Sequence, residues 1–74
     1  MQVTVKLFAE LREGRFEVEN SEVADQSRVT DVVQSLNIPS DQVKICLVNG
    51  RDEGADYVIQ NGDTLSLFPA VGGA

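Results

Sequence analysis

Gly72 and Gly73, followed by Ala74, are the residues of this chain whose type and spacing bear most directly on chemistry. They close the segment Phe68-Pro69-Ala70-Val71-Gly72-Gly73-Ala74, which carries no charged side chain and follows an apolar strand pattern. Glycine has no Cβ, so its backbone enters narrow passages and reaches conformations closed to other residues. Pro69 stiffens the exit from the strand by fixing its own φ. Fully extended, Pro69 to Ala74 reaches roughly 20 Å, at about 3.3 Å per residue. Such a segment suits threading into the active site of another protein, where its carboxylate would be the reacting group.

Other chemistry is scarce. The chain has no histidine and one cysteine, so the usual metal and nucleophile constellations are missing, and no catalytic residue and no metal ligand is expected. Cys46 lies mid-strand among Ile45, Leu47 and Val48, where cysteine acts as a small buried hydrophobe. Twelve acidic residues against six basic ones give a net charge of −6. That balance argues against nucleic acid and against an anionic membrane surface. The acids are scattered, with one local cluster at Asp52, Glu53 and Asp56. Steering toward a basic partner is the functional alternative to plain solubility.

Seventy-four residues make one small domain whose core suffices if most large apolar side chains are buried. No apolar run approaches the roughly 20 residues that span a bilayer. Met1 to Val5 enters a strand pattern at once, without the charged and apolar regions of a signal peptide. With no partner cysteine for a disulfide, a cytoplasmic protein is expected.

Val3, Val5 and Leu7 alternate with polar residues, the period-2 signal of a half-buried strand. Leu11 to Gly14 reads as a turn, and Phe16 and Val18 then share one face of a second strand. Val29, Val32, Val33 and Leu36 form the stripe of an amphipathic helix, with Ser27 as expected N-cap and Asp31 in the first turn. Pro39 is expected to end that helix. Val43 to Val48 is a third strand closed by the turn dipeptide Asn49-Gly50. Arg51 to Gln60 is polar, with a short apolar piece at Tyr57 to Ile59. Asn61-Gly62-Asp63 turns into a last strand, Thr64 to Phe68.

Four stretches carry a resemblance that covers essentially the whole chain. They are Val5 to Glu13, the helix from Val29 to Leu36, Val48-Asn49-Gly50, and Asn61-Gly62-Asp63 through Gly73. In order and spacing the chain resembles the MoaD/ThiS family of ubiquitin-like sulfur carriers. The resemblance and the order of periodicities together imply an α+β, β-grasp fold. A mixed sheet of four to five strands would be crossed by one main helix, with residues 1–68 as the domain and 69–74 as a flexible tail. Two departures stand out. Pro69 is followed by Ala70, where members on the molybdopterin side have a second proline, and Ala74 follows the glycine at which carriers normally end.

The resemblance also implies the chemistry. A separate E1-like adenylating enzyme, using Mg-ATP, activates the carboxylate of the last glycine, and sulfur then displaces AMP to leave a thiocarboxylate. The carrier binds no cofactor itself and is a substrate rather than an enzyme. Gly73 would carry the sulfur and Gly72 would give clearance. Ala74 would first be removed, as in relatives trimmed by a JAMM-type metalloprotease, several of which pass sulfur to an amino acid of the cysteine or homocysteine type. The alternatives are a molybdopterin-synthase small subunit or thiamine sulfur carrier, with a sulfur-accepting synthase as partner. From another class comes a ubiquitin-like modifier conjugated through Gly73.

Strand alternation supplies an interface. Leu65 and Leu67 face the core while Thr64, Ser66 and Phe68 face the other way, and Phe8 points away from Val3, Val5 and Leu7. In a β-grasp sheet the first and last strands are parallel neighbours, so Phe8 and Phe68 are expected to pair beside the tail. Together with Pro69 and Val71 they form the expected partner interface. Arg12 and Arg51 read as ordinary solvated charges.

Overall fold

Alternation in the first six strand residues sets the frame. β1 (Gln2–Leu7) places Val3, Val5 and Leu7 at 2% exposure or less and leaves Gln2, Thr4 and Lys6 on the opposite face. The computed structural model describes residues 1–69. β2 (Val18–Glu22) returns antiparallel to β1, and β5 (Thr64–Pro69) lies parallel to β1 on its other side. β3 (Val43–Val48) runs antiparallel to β5 and carries the two-residue β4 (Arg51–Asp52) on its far edge. The five-stranded sheet therefore has the order β2-β1-β5-β3-β4, and the single helix α1 (Val29–Ser35) covers one face. This mixed sheet with one helix across it is the β-grasp architecture.

The core lies between α1 and the sheet. Val29, Val32 and Val33 from the helix pack with Val5, Leu7, Cys46, Val48, Leu65 and Leu67 from the strands. Leu11, Ile38 and Ile59 close its margins from the connecting segments. Valine is a modest helix former, and a helix of seven residues is too short to be stable alone. Burial of its valine stripe against the sheet is what holds it.

The helix ends differ from the sequence expectation at both sides. The N-cap is Arg28, not Ser27; its backbone N–H donates to the Asp31 carboxylate at 2.8 Å, while the Ser27 hydroxyl donates to the Ala24 carbonyl. Only the carboxylate half of a capping box is made, because an arginine side chain has no acceptor. At the other end Asn37, not Pro39, stops the helix. Its φ of 59° turns the chain left-handed, and the Asn37 and Ile38 N–H groups donate to Gln34 and Val33 carbonyls. That is a Schellman closure, with buried Ile38 packed against buried Val33. Arg15 reinforces it by donating to the Leu36 and Asn37 carbonyls, tying the first connection to the helix end.

Two strand expectations also shift. Phe16 precedes β2 and packs against the core, but Val18 is 56% exposed, because it pairs with Lys6 on the uncovered face at the sheet edge. The short fourth strand is Arg51–Asp52 rather than Tyr57 to Ile59. Asn49 and Gly50, at φ 53° and 84°, form the two-residue turn that pairs Val48 with Arg51. The Tyr57–Ile59 piece instead makes one bridge, Val58 with Arg28, and buries Ile59.

Candidate functional site

β5 carries the candidate site because it is the central strand that leads to the C-terminal segment. Its alternation is as expected: Leu65 and Leu67 are fully buried, and Thr64, Ser66 and Phe68 lie on the face without a helix. The strand includes Pro69, one residue beyond the expected end, paired with Val43 at the margin of the sheet. Proline is tolerated there because it sits where a register irregularity between Val43 and Ile45 interrupts the ladder.

Asp63 anchors the start of β5. It is 6% exposed, and its carboxylate accepts hydrogen bonds from the Asn49 amide at 2.9 Å, the Tyr57 hydroxyl at 3.3 Å and the Gln60 N–H at 2.8 Å. Asn49 in turn accepts from the Thr64 N–H. A buried carboxylate needs such donors, and here they bind the last turn to the β3–β4 turn. The Tyr57 phenol is held above its ordinary pKa by burial first and then by the nearby Asp63 carboxylate.

At the other end of β5 the structure brings Phe68 and Phe8 together. Phe8 follows β1, and its N–H donates to the Leu67 carbonyl at 3.2 Å. Ala9, at φ 52°, then turns the chain into a short 3₁₀ segment, Ala9–Arg12. The two rings stack with centroids 4.3 Å apart and planes within 12°. Both are half-buried, each covering one face of the other. Ile45 pairs with Phe68 across the β3–β5 ladder and is 42% exposed, so it extends the apolar surface. Leu47, two residues on, shares that face.

Around Pro69 the surface is acidic. Glu10, Glu13 and Asp41 line an open groove of about 360 Å³ with Leu11, Gln42 and Pro69. Three carboxylates therefore stand where the chain leaves the sheet. Arg12 lies 3.4 Å from Glu17 in an exposed pair that contributes little, and Arg51 is exposed on β4. Val71, Gly72, Gly73 and Ala74 lie outside the described residues.

Ile45, Leu47 and the acidic rim are the surface residues that sequence reasoning missed. Ile45 to Val48 is a continuous apolar run, so alternation by itself marks neither face. The available signal was Cys46: once it is placed inward, period 2 sends Ile45 and Leu47 outward. Cys46 is buried as expected, and burial first, then the Asp52 and Glu53 carboxylates, pushes its thiol up to about 11. Among the described residues no group of acidic, cysteine or histidine side chains could hold a metal ion, and no helix is long and apolar enough to cross a membrane.

The model of the ThiS family matches residues 5–73. The chain belongs to the ThiS family. Among solved structures it is similar to the Haloferax volcanii HVO 2177 protein, at 30% identity and TM-score 0.80, covering 100% of this chain and 87% of that one. It is also similar to a putative molybdopterin converting factor subunit 1 from Pyrococcus furiosus, at 25% identity and TM-score 0.77, covering 96% and 99%. Small archaeal modifier protein 1 from Haloferax volcanii aligns at 25% identity and TM-score 0.76, covering 95% and 98%. No curated protein matches the chain. The ThiS-family chain is thus a small ubiquitin-fold protein of the carrier or modifier kind, with the expected fold.

Proposed function

We propose that this ThiS-family chain is a sulfur carrier whose reactive group is the carboxylate of Gly73. The observation that carries the reading is the family match running through Gly73, combined with a stacked Phe8–Phe68 pair beside the strand end that leads to it. In this reading an E1-like enzyme docks on Phe8, Phe68, Ile45 and Pro69 and draws Val71, Gly72 and Gly73 into its nucleotide site. A Gly73 carboxylate oxygen attacks the α-phosphorus of Mg-bound ATP, and pyrophosphate leaves. Hydrosulfide then attacks the acyl carbon and AMP leaves, giving the thiocarboxylate and a proton. The carrier supplies no acid or base; it binds, orients and presents one atom. Glu10, Glu13 and Asp41 favour a partner whose rim is basic.

Ala74 follows Gly73, so a carboxylate at Gly73 requires hydrolysis of the Gly73–Ala74 bond. A metal-dependent peptidase of the JAMM type fits that step, and an amino-acid acceptor for the sulfur rests on this residue. One extra residue displaces the carboxylate by about 3.3 Å along an extended chain, and in-line attack tolerates little misplacement. In an adenylation assay with its activating enzyme, the chain with Ala74 should be inert and the chain ending at Gly73 active. Deleting Gly73 as well should abolish activity again. Equal rates with and without Ala74 would remove trimming from the mechanism and move a molybdopterin-type synthase ahead as sulfur acceptor.

A second reading is favoured by the likeness to small archaeal modifier protein 1. There the same acyl adenylate is transferred to a lysine amine, joining Gly73 to another protein. Intact mass of the protein from its native cell separates the two. Replacement of one carboxylate oxygen by sulfur marks the carrier, and an isopeptide-linked adduct marks the modifier.

A further inference from the structure

The far edge of the sheet is built differently from the near one. β2 ends the sheet on one side with Val18-Glu19-Asn20-Ser21-Glu22, whose charged and polar side chains discourage further pairing. On the other side β4 pairs with β3 only at Leu47 and Val48, and the Glu53 N–H reaches the Cys46 carbonyl. Among the described residues no strand continues that pairing beside Lys44, so this side of β3 is an open edge. Beside it, on the helix face, lies an open groove of about 310 Å³. Val29 and Val33 of α1, Val43 and Cys46 of β3, and Asp52 and Glu53 line it. Two of the three acids clustered in the sequence, Asp52 and Glu53, therefore line a largely apolar groove next to an unpaired strand edge, while Asp56 does not. Two carboxylates stand there against one ammonium, that of Lys44.

We propose that this groove docks an extended segment of a partner protein by strand addition to β3. The segment would place an apolar side chain in the groove and a lysine or arginine beside Asp52 and Glu53. Main-chain hydrogen bonds to an open edge supply affinity, and the groove, read by alternate side chains, supplies selectivity. The carboxylate pair decides the sign of the charge that is accepted. The bulge between Val43 and Ile45, with Lys44 on the edge, guards against indiscriminate pairing. The groove and the Phe8–Phe68 pair lie on opposite faces of the sheet, so one partner can hold the C-terminal segment while a second holds the β3 edge.

The test is a titration of the full ¹⁵N-labelled chain with the blocked peptide Lys-Val-Arg-Val-Lys-Val-Arg. Saturable amide shifts are expected at 43–46, at Val29, Thr30 and Glu53, with none at Phe8 or Phe68. The double variant D52K/E53K should weaken binding about tenfold or more. The shape-preserving pair Asp52→Asn and Glu53→Gln should weaken it in the same direction while keeping the native spectrum. Equal binding of the peptide with glutamate in place of its lysines and arginines would overturn the proposal. So would shifts confined to the Phe8–Phe68 face, or an affinity unchanged in both variants. Sedimentation showing a dimer, with the 43–46 amides shifted by protein concentration alone, would overturn it by putting a second copy in the groove.

Discussion

Ile45 and Cys46 are chain neighbours in β3, yet Ile45 is 42% exposed and Cys46 only 7%. The same contrast runs through β1 and β5, where Leu7 and Leu67 are buried and Phe8 and Phe68 stack on the other side. One face of the sheet is covered by α1, and its core side chains, Val5, Leu7, Leu65 and Leu67 among them, are buried. The other face has no helix, and its apolar residues gather at the end of β5 nearest the C-terminal segment. Burial on the first face maintains the fold. Partial exposure on the second leaves apolar area that a partner can remove from water. Changes at the core residues of the first face should therefore appear as loss of stability, and changes at the aromatic end of the second as loss of binding.

The largest effect expected is on the closed face. Leu65→Ala removes a side chain with no exposed surface at the middle of the sheet, and should cost about 2–5 kcal/mol of unfolding free energy in a denaturant titration. A cost under about 1 kcal/mol would mean that the helix face is loosely packed, and the contrast would fail.

Cys46 sharpens the same face by its chemistry. Its thiol pKa is raised from 9.0 to about 11, so at pH 8 the native protein should react with iodoacetamide about a hundredfold more slowly than the unfolded chain, one decade per pKa unit. Between pH 9 and 11 the unfolded thiol has lost its proton and the folded one retains it, so the contribution of Cys46 to stability is full below pH 9 and falls as pH rises through that window. Melting temperatures measured from pH 8 to 11 check this, with a Cys46→Ala control that removes the cysteine's share of the decline and leaves that of Tyr57, whose pKa is also raised.

On the open face the expected effect is smaller and appears in binding. Phe68→Ala should weaken the complex with the proposed activating enzyme by roughly 1–3 kcal/mol, read by direct titration, with an intact native spectrum. A double-mutant cycle with Phe8→Ala should give a coupling of about 0.5–1.5 kcal/mol for the stacked rings in the free protein. Affinity unchanged by Phe68→Ala would take the aromatic pair out of the partner interface and leave Ile45 and the acidic rim to define it.

Much of the architecture was legible because periodicity reports which face a side chain occupies. Val3, Val5 and Leu7 in β1, the valine stripe of α1, and Leu65 and Leu67 in β5 each carried that signal. The Phe8–Phe68 contact was legible as well, from outward register plus the parallel pairing of first and last strands. β2 was read only at its first two residues, Val18 and Glu19, because an edge strand buries little, so Val18 to Glu22 shows no apolar alternation. Ser27 and Pro39 misled at the helix ends because capping depends on backbone conformation. The left-handed Asn37 and the Arg28 N–H bonded to Asp31 made those ends without them.

The sequence by itself determined the order of elements, the inward residues of the central strands, the two-residue Asn49-Gly50 turn and the glycine pair of the C-terminal segment. Those features follow from local rules, namely alternation, helical spacing and φ preference, that act within a few residues. Tertiary structure decided what depends on distant segments meeting. It buried Asp63 by supplying donors from Asn49, Tyr57 and Gln60. Pairing with β5 turned Ile45 toward the aromatic stack, and the early end of β4 left the β3 edge open beside α1. Period 2 from Cys46 gives the outward turn of Ile45 but not what it meets there, and the other outcomes arise where residues far apart in the chain share one surface.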